Sequence, residues 1–392
     1  MGKKTVRDID AAGKSVLLRA DLNVPMEDGA ITDDTRIRES IPTIQHLLDQ
    51  GALVVVCSHL GRPKGRDQSL SLEPVAARLG NLLEREVYFA TDCAGPAAEA
   101  VVASAVTPGV VLLENLRFHP GEEANDAGFA RRLASLAELY VNDAFGAAHR
   151  AHASTEGVTH FLPAVAGLLM EKEVRYLSAL VADPPRPFAA VVGGAKVSTK
   201  LAAIEHLLPK LDLLLLGGGM ANTFLKATGV DTGMSLVEES HLAAATKILE
   251  AAKAADVEVH LPIDVVAASR FAADAETRTV PAAEVPRGYM VLDIGPQTVA
   301  DYAKALQRAR AVVWNGPMGV FEMAPFAAGS EGIARAIAAL AATTVAGGGE
   351  TAAVIARAGL ASRFTHVSTG GGASLEMLEG KALPGVAALL DA

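Results

Sequence analysis

The stretch "VVGGAKVSTK", Val191 to Lys200, decides how this chain is read. An apolar run enters Gly193 and Gly194, and two lysines follow four residues apart. A strand that passes through a glycine turn into a helix exposes backbone N–H groups at the helix's positive end, which suits phosphate. The Walker spelling G-x-x-x-x-G-K-[ST] is absent, because no second glycine stands where that pattern requires it. The two lysines therefore need another explanation. Four apart, they are expected to project from one face of the first helical turns.

The same strand-to-helix rhythm extends outward almost end to end. "SVLLRA", "ALVVVCS", "VVLLEN" and "LYVND" read as strands in the first half, and "FAAVVGG", "LDLLLLGGG", "VEVHLP", "ARAVVWNG" and "ATTVAGGG" in the second. Their Val, Leu and Ile are continuous rather than alternating, as in strands buried on both faces. Helix patterns fall between them at 34–49, 73–84, 198–208 and 238–255. This predicts an α/β fold with mostly parallel sheets. A chain of 392 residues exceeds what one core usually supports, so two domains are expected. "VADPPRPF" stops the helix-patterned "LLMEKEVRYLSAL" and marks the boundary. The expected division is 1–170, a joining helix and hinge at 171–186, and 187–379, with the tail from about 380 to 392 returning to the first domain.

Composition narrows the function. The longest uncharged runs are about 14 residues and broken by Gly or Pro, too short to span a bilayer. "MGKKTVRDID" has no apolar h-region, so no secretion signal is expected. Cys57 and Cys93 show no zinc spacing and fit a reduced, cytoplasmic setting. A net charge of -10 argues against a general nucleic-acid binder.

The halves differ in chemistry. Glycine turns recur after residue 186, at 193–194, 217–219, 347–349 and 370–372. Any one of them could be a tight connection and nothing more. "GGGETA" even matches the dinucleotide fingerprint, but no acidic residue stands about 20 positions on to hold a ribose hydroxyl. Residues 1–170 instead hold 12 arginines and six of the ten histidines. Arg19, Asp21 and Asn23 sit at alternate positions leaving one strand, and His59 with Arg62, Arg117 with His119, and His149, Arg150 and His152 leave others. Ligands of open α/β sheets bind beyond the carboxyl ends of strands, where arginines would make a receptor for carboxylate and phosphate. A lone arginine is ordinarily a solvated charge; four at successive strand ends are not. His46 and His160 read as structural.

These residues lie in motifs, "LRADLNVP", "TRIRESIPTI", "SHLGRPKG", "LLENLRFHPGEE", "VNDAFGAAHRAHAST", "GGAKVSTKL", "LGGGMANTFL", "LDIGP", "WNGPMGVFE", "GGGET" and "STGGGASLEMLEGKALPGV", whose order along the whole chain resembles the phosphoglycerate kinase family. The resemblance implies two Rossmann-like domains joined by a helix and facing each other across a cleft. It further implies a reversible, Mg²⁺-dependent transfer between 1,3-bisphosphoglycerate and ADP giving 3-phosphoglycerate and ATP, in a cytoplasmic monomer of glycolysis or carbon fixation. Carried over by motif, the glycerate site would be Asp21, Leu22, Asn23, Arg36, His59, Leu60, Gly61, Arg62, Arg117 and Arg150. The nucleotide site would be Lys200, Gly217, Gly218, Gly219, Asn315, Glu322 at the ribose, Gly348, Gly349, Glu350 and Thr351. Arg36, Lys196, Lys200, Gly349 and Gly372 would attend the migrating phosphoryl group.

Two positions depart from the family's pattern. Thr199 replaces an acid, at a place expected to face away from the phosphates. Glu350 stands where Asp is usual, so the carboxylate implied to hold Mg²⁺ reaches one methylene further. A nicotinamide-dependent dehydrogenase rests only on the glycine turns and lacks the ribose carboxylate. A non-catalytic anion-binding protein would have lost Arg36, Lys196 or Lys200, and all are present.

Overall fold

The computed structural model describes residues 2–392 and confirms the α/β class with two parallel six-stranded sheets. Two compact units emerge, one of residues up to Arg175 together with Ala382–Ala392, the other Tyr176–Lys381.

In the first unit the strands lie in the order Tyr88–Ala90, Gly109–Leu113, Leu53–Cys57, Ser15–Arg19, Leu139–Asn142, Ala164–Ala166, all parallel. Every residue of Leu53–Cys57 and Gly109–Leu113 is buried, which is why their sequences carry no polar alternation. Helix Thr35–Asp49 packs Ile37, Ile44, Leu47 and Leu48 into the same core, a spacing that places them on one face. Strand order reverses beside Ser15–Arg19, the first strand in sequence but central in the sheet. Such a switch point opens a crevice at the strands' carboxyl ends.

The second unit repeats the plan in the order Glu258–His260, Leu213–Leu216, Phe188–Val192, Ala311–Asn315, Thr343–Gly347, His366–Val367. Its switch point falls between Phe188–Val192 and Ala311–Asn315, so the opening glycine turn emerges there. A three-stranded antiparallel sheet, Thr277–Pro281, Asp264–Ala268 and Met290–Ile294, is an addition to the expected plan. Thr277–Pro281 is exposed in four of five residues and offers no apolar run to read.

Two helices differ from expectation at their starts. The segment 198–208 is not one helix: a 3-10 turn Val197–Thr199 precedes helix Leu201–Leu207, and Pro209 follows in a further 3-10 turn. Likewise 238–255 opens with a 3-10 turn Glu239–His241 before helix Leu242–Ala254. Helix Leu168–Ala182 covers the "LLMEKEVRYLSAL" pattern. Its start is held in the first unit by Asp143, whose Oδ1 accepts the Leu169 and Met170 amides at 2.9 and 3.1 Å. In the first unit the tail's Gly385 amide donates to Ala148 at 2.9 Å, and Lys4 donates to Leu390 at 2.8 Å.

Candidate functional site

The strand ends of the first unit are sewn into one polar surface. Beyond Ser15–Arg19 the backbone leaves the sheet at Ala20, so the alternation read from "LRADLNVP" does not continue. Arg19 is a correction to that reading. It is 1% exposed and lies beneath the surface. Its Nε donates to Ser154 Oγ at 2.8 Å, its Nη1 to the Ala20 carbonyl at 2.5 Å, and its Nη2 lies 3.2 Å from His59 Nδ1. A guanidinium can only donate, so His59 Nδ1 accepts and the ring proton sits on Nε2. Burial, reinforced by the Arg19 and Arg117 charges, pushes His59 down to about 3, so it is a neutral donor at physiological pH. Glu122, fully buried, accepts the Ser154 hydroxyl at 2.6 Å and amide at 3.0 Å, completing this buried layer.

Above it the expected residues gather. Arg36, on the first turn of its helix, donates from Nη1 to Asp21 Oδ2 at 2.8 Å. Burial alone would raise the Asp21 carboxyl, but the Arg36 and Arg19 charges outweigh it and hold the group below its ordinary range. Asn23 Oδ1 accepts the Gly61 amide at 2.8 Å, and Arg117 Nη1 donates to the Gly61 carbonyl at 2.6 Å. The buried Leu22 and Leu60 amides donate to Ser58 Oγ at 2.9 Å and Asn115 Oδ1 at 3.2 Å, fixing both loops. Arg62 and Arg150 are exposed, and Arg150's charge acts on Arg117. Asn115 is the residue sequence reading missed. Fully buried, it also donates to the Leu60 and Leu70 carbonyls, a role that local sequence does not mark. His119 does not join this surface but pairs with Asp92 at 2.6 Å and stacks on Phe129. His46 and His160 bond within their own helical turns, to Gln50 and Glu156. A layer of fixed guanidinium groups over a neutral imidazole suits a small, doubly anionic ligand.

In the second unit, glycines from neighbouring strand ends pack against one another. A Cβ on Gly218 would stand 2.6 Å from the Gly194 carbonyl oxygen, and one on Gly193 2.2 Å from that of Pro317. The Gly217 and Gly218 amides donate to Val192 and Met318 at 2.9 Å. This corrects the expectation that this turn offers its N–H groups to phosphate: those two are spent on the fold, and the glycines are there for close approach. The helix starting at Gly349 differs, since a Cβ on Gly349 would meet nothing within 4 Å.

Lys196 and Lys200 are also corrected. Lys196 is extended and exposed ahead of the 3-10 turn, and Lys200 follows it, half-buried, so they flank a turn rather than share a helical face. Thr199 is exposed, and its hydroxyl donates to the Lys196 carbonyl at 2.9 Å. Lys200 Nζ donates to Asn315 Oδ1. Burial lowers the Lys200 ammonium's pKa, against the pull of Glu350 and Glu379. Asn315 is 5% exposed, and its Nδ2 has no hydrogen-bond partner. The buried Thr351 accepts the Gly316 amide at 2.7 Å, tying the Gly349–Arg357 helix start to that turn. Gly348 adopts φ +93 at the helix cap, and Gly372 begins helix Gly372–Leu378.

Beside them opens a cavity of about 360 Å³, lined by Gly194, Gly218, Gly219, Glu322 and Glu350 together with an apolar wall. The wall, Leu236, Phe271, Met290, Leu292 and Val320, escaped sequence reading because it is assembled from segments far apart in sequence. Leu236 and Phe271 are 50% and 60% exposed, a signal visible only after folding. An apolar slot with the open helix start at its rim suits a flat base bearing a polyphosphate. Glu350 lies exposed on that rim, a single carboxylate of the kind that holds Mg²⁺ together with phosphate oxygens. Among the described residues, one trio of possible metal ligands, Asp92, Cys93 and His119, has donor atoms within 4.8 Å; it belongs to the first unit.

A family model described as "Phosphoglycerate kinase" matches residues 6–381. A phosphoglycerate kinase of Pelotomaculum thermopropionicum is 59% identical over 392 residues, covering 100% of both chains. A cytosolic one from Triticum aestivum is 57% identical, covering 99% of this chain and 98% of its own. A chloroplastic one from Arabidopsis thaliana is 56% identical, covering 100% and 83%. The solved structure of the Coxiella burnetii phosphoglycerate kinase is similar at a TM-score of 0.89 with 42% identity, over 98% of both chains.

Proposed function

From the premise that this chain belongs to the phosphoglycerate kinase family, we propose which of its residues carry that family's reaction. The chain is a phosphotransferase that moves a phosphoryl group reversibly between the carboxyl group of 3-phosphoglycerate and ADP, the step shared by glycolysis and carbon fixation. Both acceptor groups are ionised at neutral pH, so no general base is needed. The protein must instead supply positive charge, N–H dipoles and alignment around three equatorial oxygens.

Asp21, Asn23, His59, Arg62, Arg117 and Arg150 bind the glycerate. His59 donates from Nε2, its tautomer fixed by Arg19. The apolar wall takes the base and Glu322 the ribose. Lys200, Asn315 and the amides at Gly348, Gly349, Glu350 and Thr351 take the phosphates. Arg36, Lys196, Lys200, Gly349 and Gly372 surround the migrating group. The observation that carries this reading is the buried, unpartnered Nδ2 of Asn315 beside Lys200 and the open start at Gly349. A buried amide donor is costly unless an acceptor arrives, and a phosphate oxygen is such an acceptor.

Mg²⁺ fits here, because it needs only one or two protein carboxylates when phosphates complete its shell, and the exposed carboxylate of Glu350 at the cavity supports its being one. Bound, it neutralises phosphate charge that would otherwise keep two polyanions apart. No helix among the described residues is long and apolar enough to cross a membrane. Two buried free cysteines and the cytosolic relatives support a cytoplasmic setting. We also read the chain as a monomer, which sedimentation tests. Turnover that requires ATP, 3-phosphoglycerate and Mg²⁺, and that stops in excess EDTA, is the expected result; full turnover in EDTA would remove the metal from the mechanism.

A further inference from the structure

Beyond helix Gly218–Ala227 the chain meets the cavity at Leu236 and is fastened on either side of it. Ser235 Oγ accepts the Val291 amide at 2.8 Å, which ties the segment to the strand whose Met290, Val291 and Leu292 line the cavity. The next residue, Leu236, is itself part of the lining. Two positions on, Glu238 turns its carboxylate onto Ser198. Its Oε2 accepts the Ser198 amide at 2.9 Å and its Oε1 the Ser198 hydroxyl at 2.7 Å. The Glu238 amide meanwhile donates to Thr223 Oγ1 at 3.1 Å. Ser198 is the middle residue of the turn Val197–Thr199, and its flanks are Lys196 and Lys200.

We propose that Glu238 is a positioning residue for the two lysines: by gripping Ser198 it sets the turn on which they stand, and through Leu236 it links their placement to the seating of the base. This rests on the reading of the cavity given under Proposed function. The turn's own bonds, Lys200 amide to the Val197 carbonyl at 2.9 Å and Thr199 hydroxyl to the Lys196 carbonyl at 2.9 Å, close it upon itself. Among the side chains, the grip of Glu238 joins it to the cavity wall. A carboxylate accepting from two donors of one residue is charge-assisted and fixes orientation as well as distance. Few local sequence signals mark such a residue, since it lies about 40 positions from the lysines it serves.

The test is a kinetic cycle on the full chain with Glu238→Ala, Ser198→Ala and the double variant, and with Lys200→Ala as reference. Glu238→Ala is expected to lower kcat/KM for MgATP about tenfold, from loss of two hydrogen bonds to a charged group. Ser198→Ala should lose less in the same direction, and the double variant should be no worse than Glu238→Ala, because both remove one interaction. Glu238→Gln, which retains one acceptor, should recover part of the loss. KM for 3-phosphoglycerate should not move. Normal MgATP kinetics in Glu238→Ala beside an inactive Lys200→Ala would reject the grip and leave the site reading intact. Full turnover in Lys200→Ala would instead reject the site reading. Fully additive losses in the double variant would also reject the grip. Should Glu238→Ala not fold, Ser198→Ala carries the test, and an unchanged kcat/KM for MgATP there would overturn the proposal.

Discussion

Arg36 stands 2.8 Å from Asp21, and that pairing aims its planar fork before substrate arrives. Arg36→Ala is expected to lower kcat by on the order of 10³ while sparing nucleotide affinity, and Arg36→Lys should recover only part of it, because an ammonium lacks the fork. Near-normal turnover in Arg36→Ala would contradict the role. Glu350 makes a second case. Glu350→Asp should retain much activity with a modest shift in Mg²⁺ dependence, whereas Glu350→Ala should lose most MgADP and MgATP binding and leave 3-phosphoglycerate binding intact; calorimetry with each ligand decides it. His152 offers a pH test. It is 7% exposed, and burial, with the Arg19 and Arg117 charges, pushes it down from 6.5 to about 4. The folded chain therefore keeps it neutral while the unfolded chain takes up a proton below about 6.5. Its stabilisation is full above that pH and is lost as pH falls toward about 4, by at most about 1.4 kcal/mol per pH unit. Burial raises Asp143 to about 6 and Asp293 to about 7, which works in the opposite direction. The stability difference between the parent and His152→Gln isolates the effect and should shrink in denaturation series from pH 7 to 5.

At the scale of elements, the glycine turns divide into two kinds that the sequence spells alike. Gly218 has φ +66, and its Cβ would meet backbone on two neighbouring loops. Gly218→Ala should therefore cost about 2–3 kcal/mol in denaturant unfolding. Gly349 has open space, so Gly349→Ala should fold with an unchanged midpoint and lose nucleotide affinity. Equal stability losses in the two variants would refute the distinction. The inner strands of both sheets were legible because full burial demands unbroken apolar runs, as in "LVVVC" and "FAAVV", whereas the short edge strands Tyr88–Ala90, Ala164–Ala166 and His366–Val367 were not, because two or three residues carry no periodicity to read. The turn at Val197–Thr199 was not. Lysine spacing of four suggests a shared helical face, but the chain passes a 3-10 turn between the two residues, and tertiary bonds to Glu238 hold it there.

For the whole molecule, the two substrates are proposed to be anchored on separate compact units, so transfer requires these to approach when both ligands are bound. Solution scattering should give a smaller radius of gyration with both ligands than with either alone, and an unchanged radius with both shown to be bound would reject a hinge mechanism. Sequence alone determined the α/β class, the arginine-rich and glycine-rich halves, and the motifs that carry the family, because periodicity and short-range motifs are local properties. Tertiary structure decided what became of individual members of those motifs. Arg19 and Arg62 read alike as cations near strand ends, yet one is sealed beneath the surface to hold an imidazole and the other faces solvent. The apolar wall of the cavity has no motif at all, since Leu236, Phe271 and Met290 become neighbours only when distant segments pack. Burial and proximity belong to the packed chain, and local pattern does not specify them.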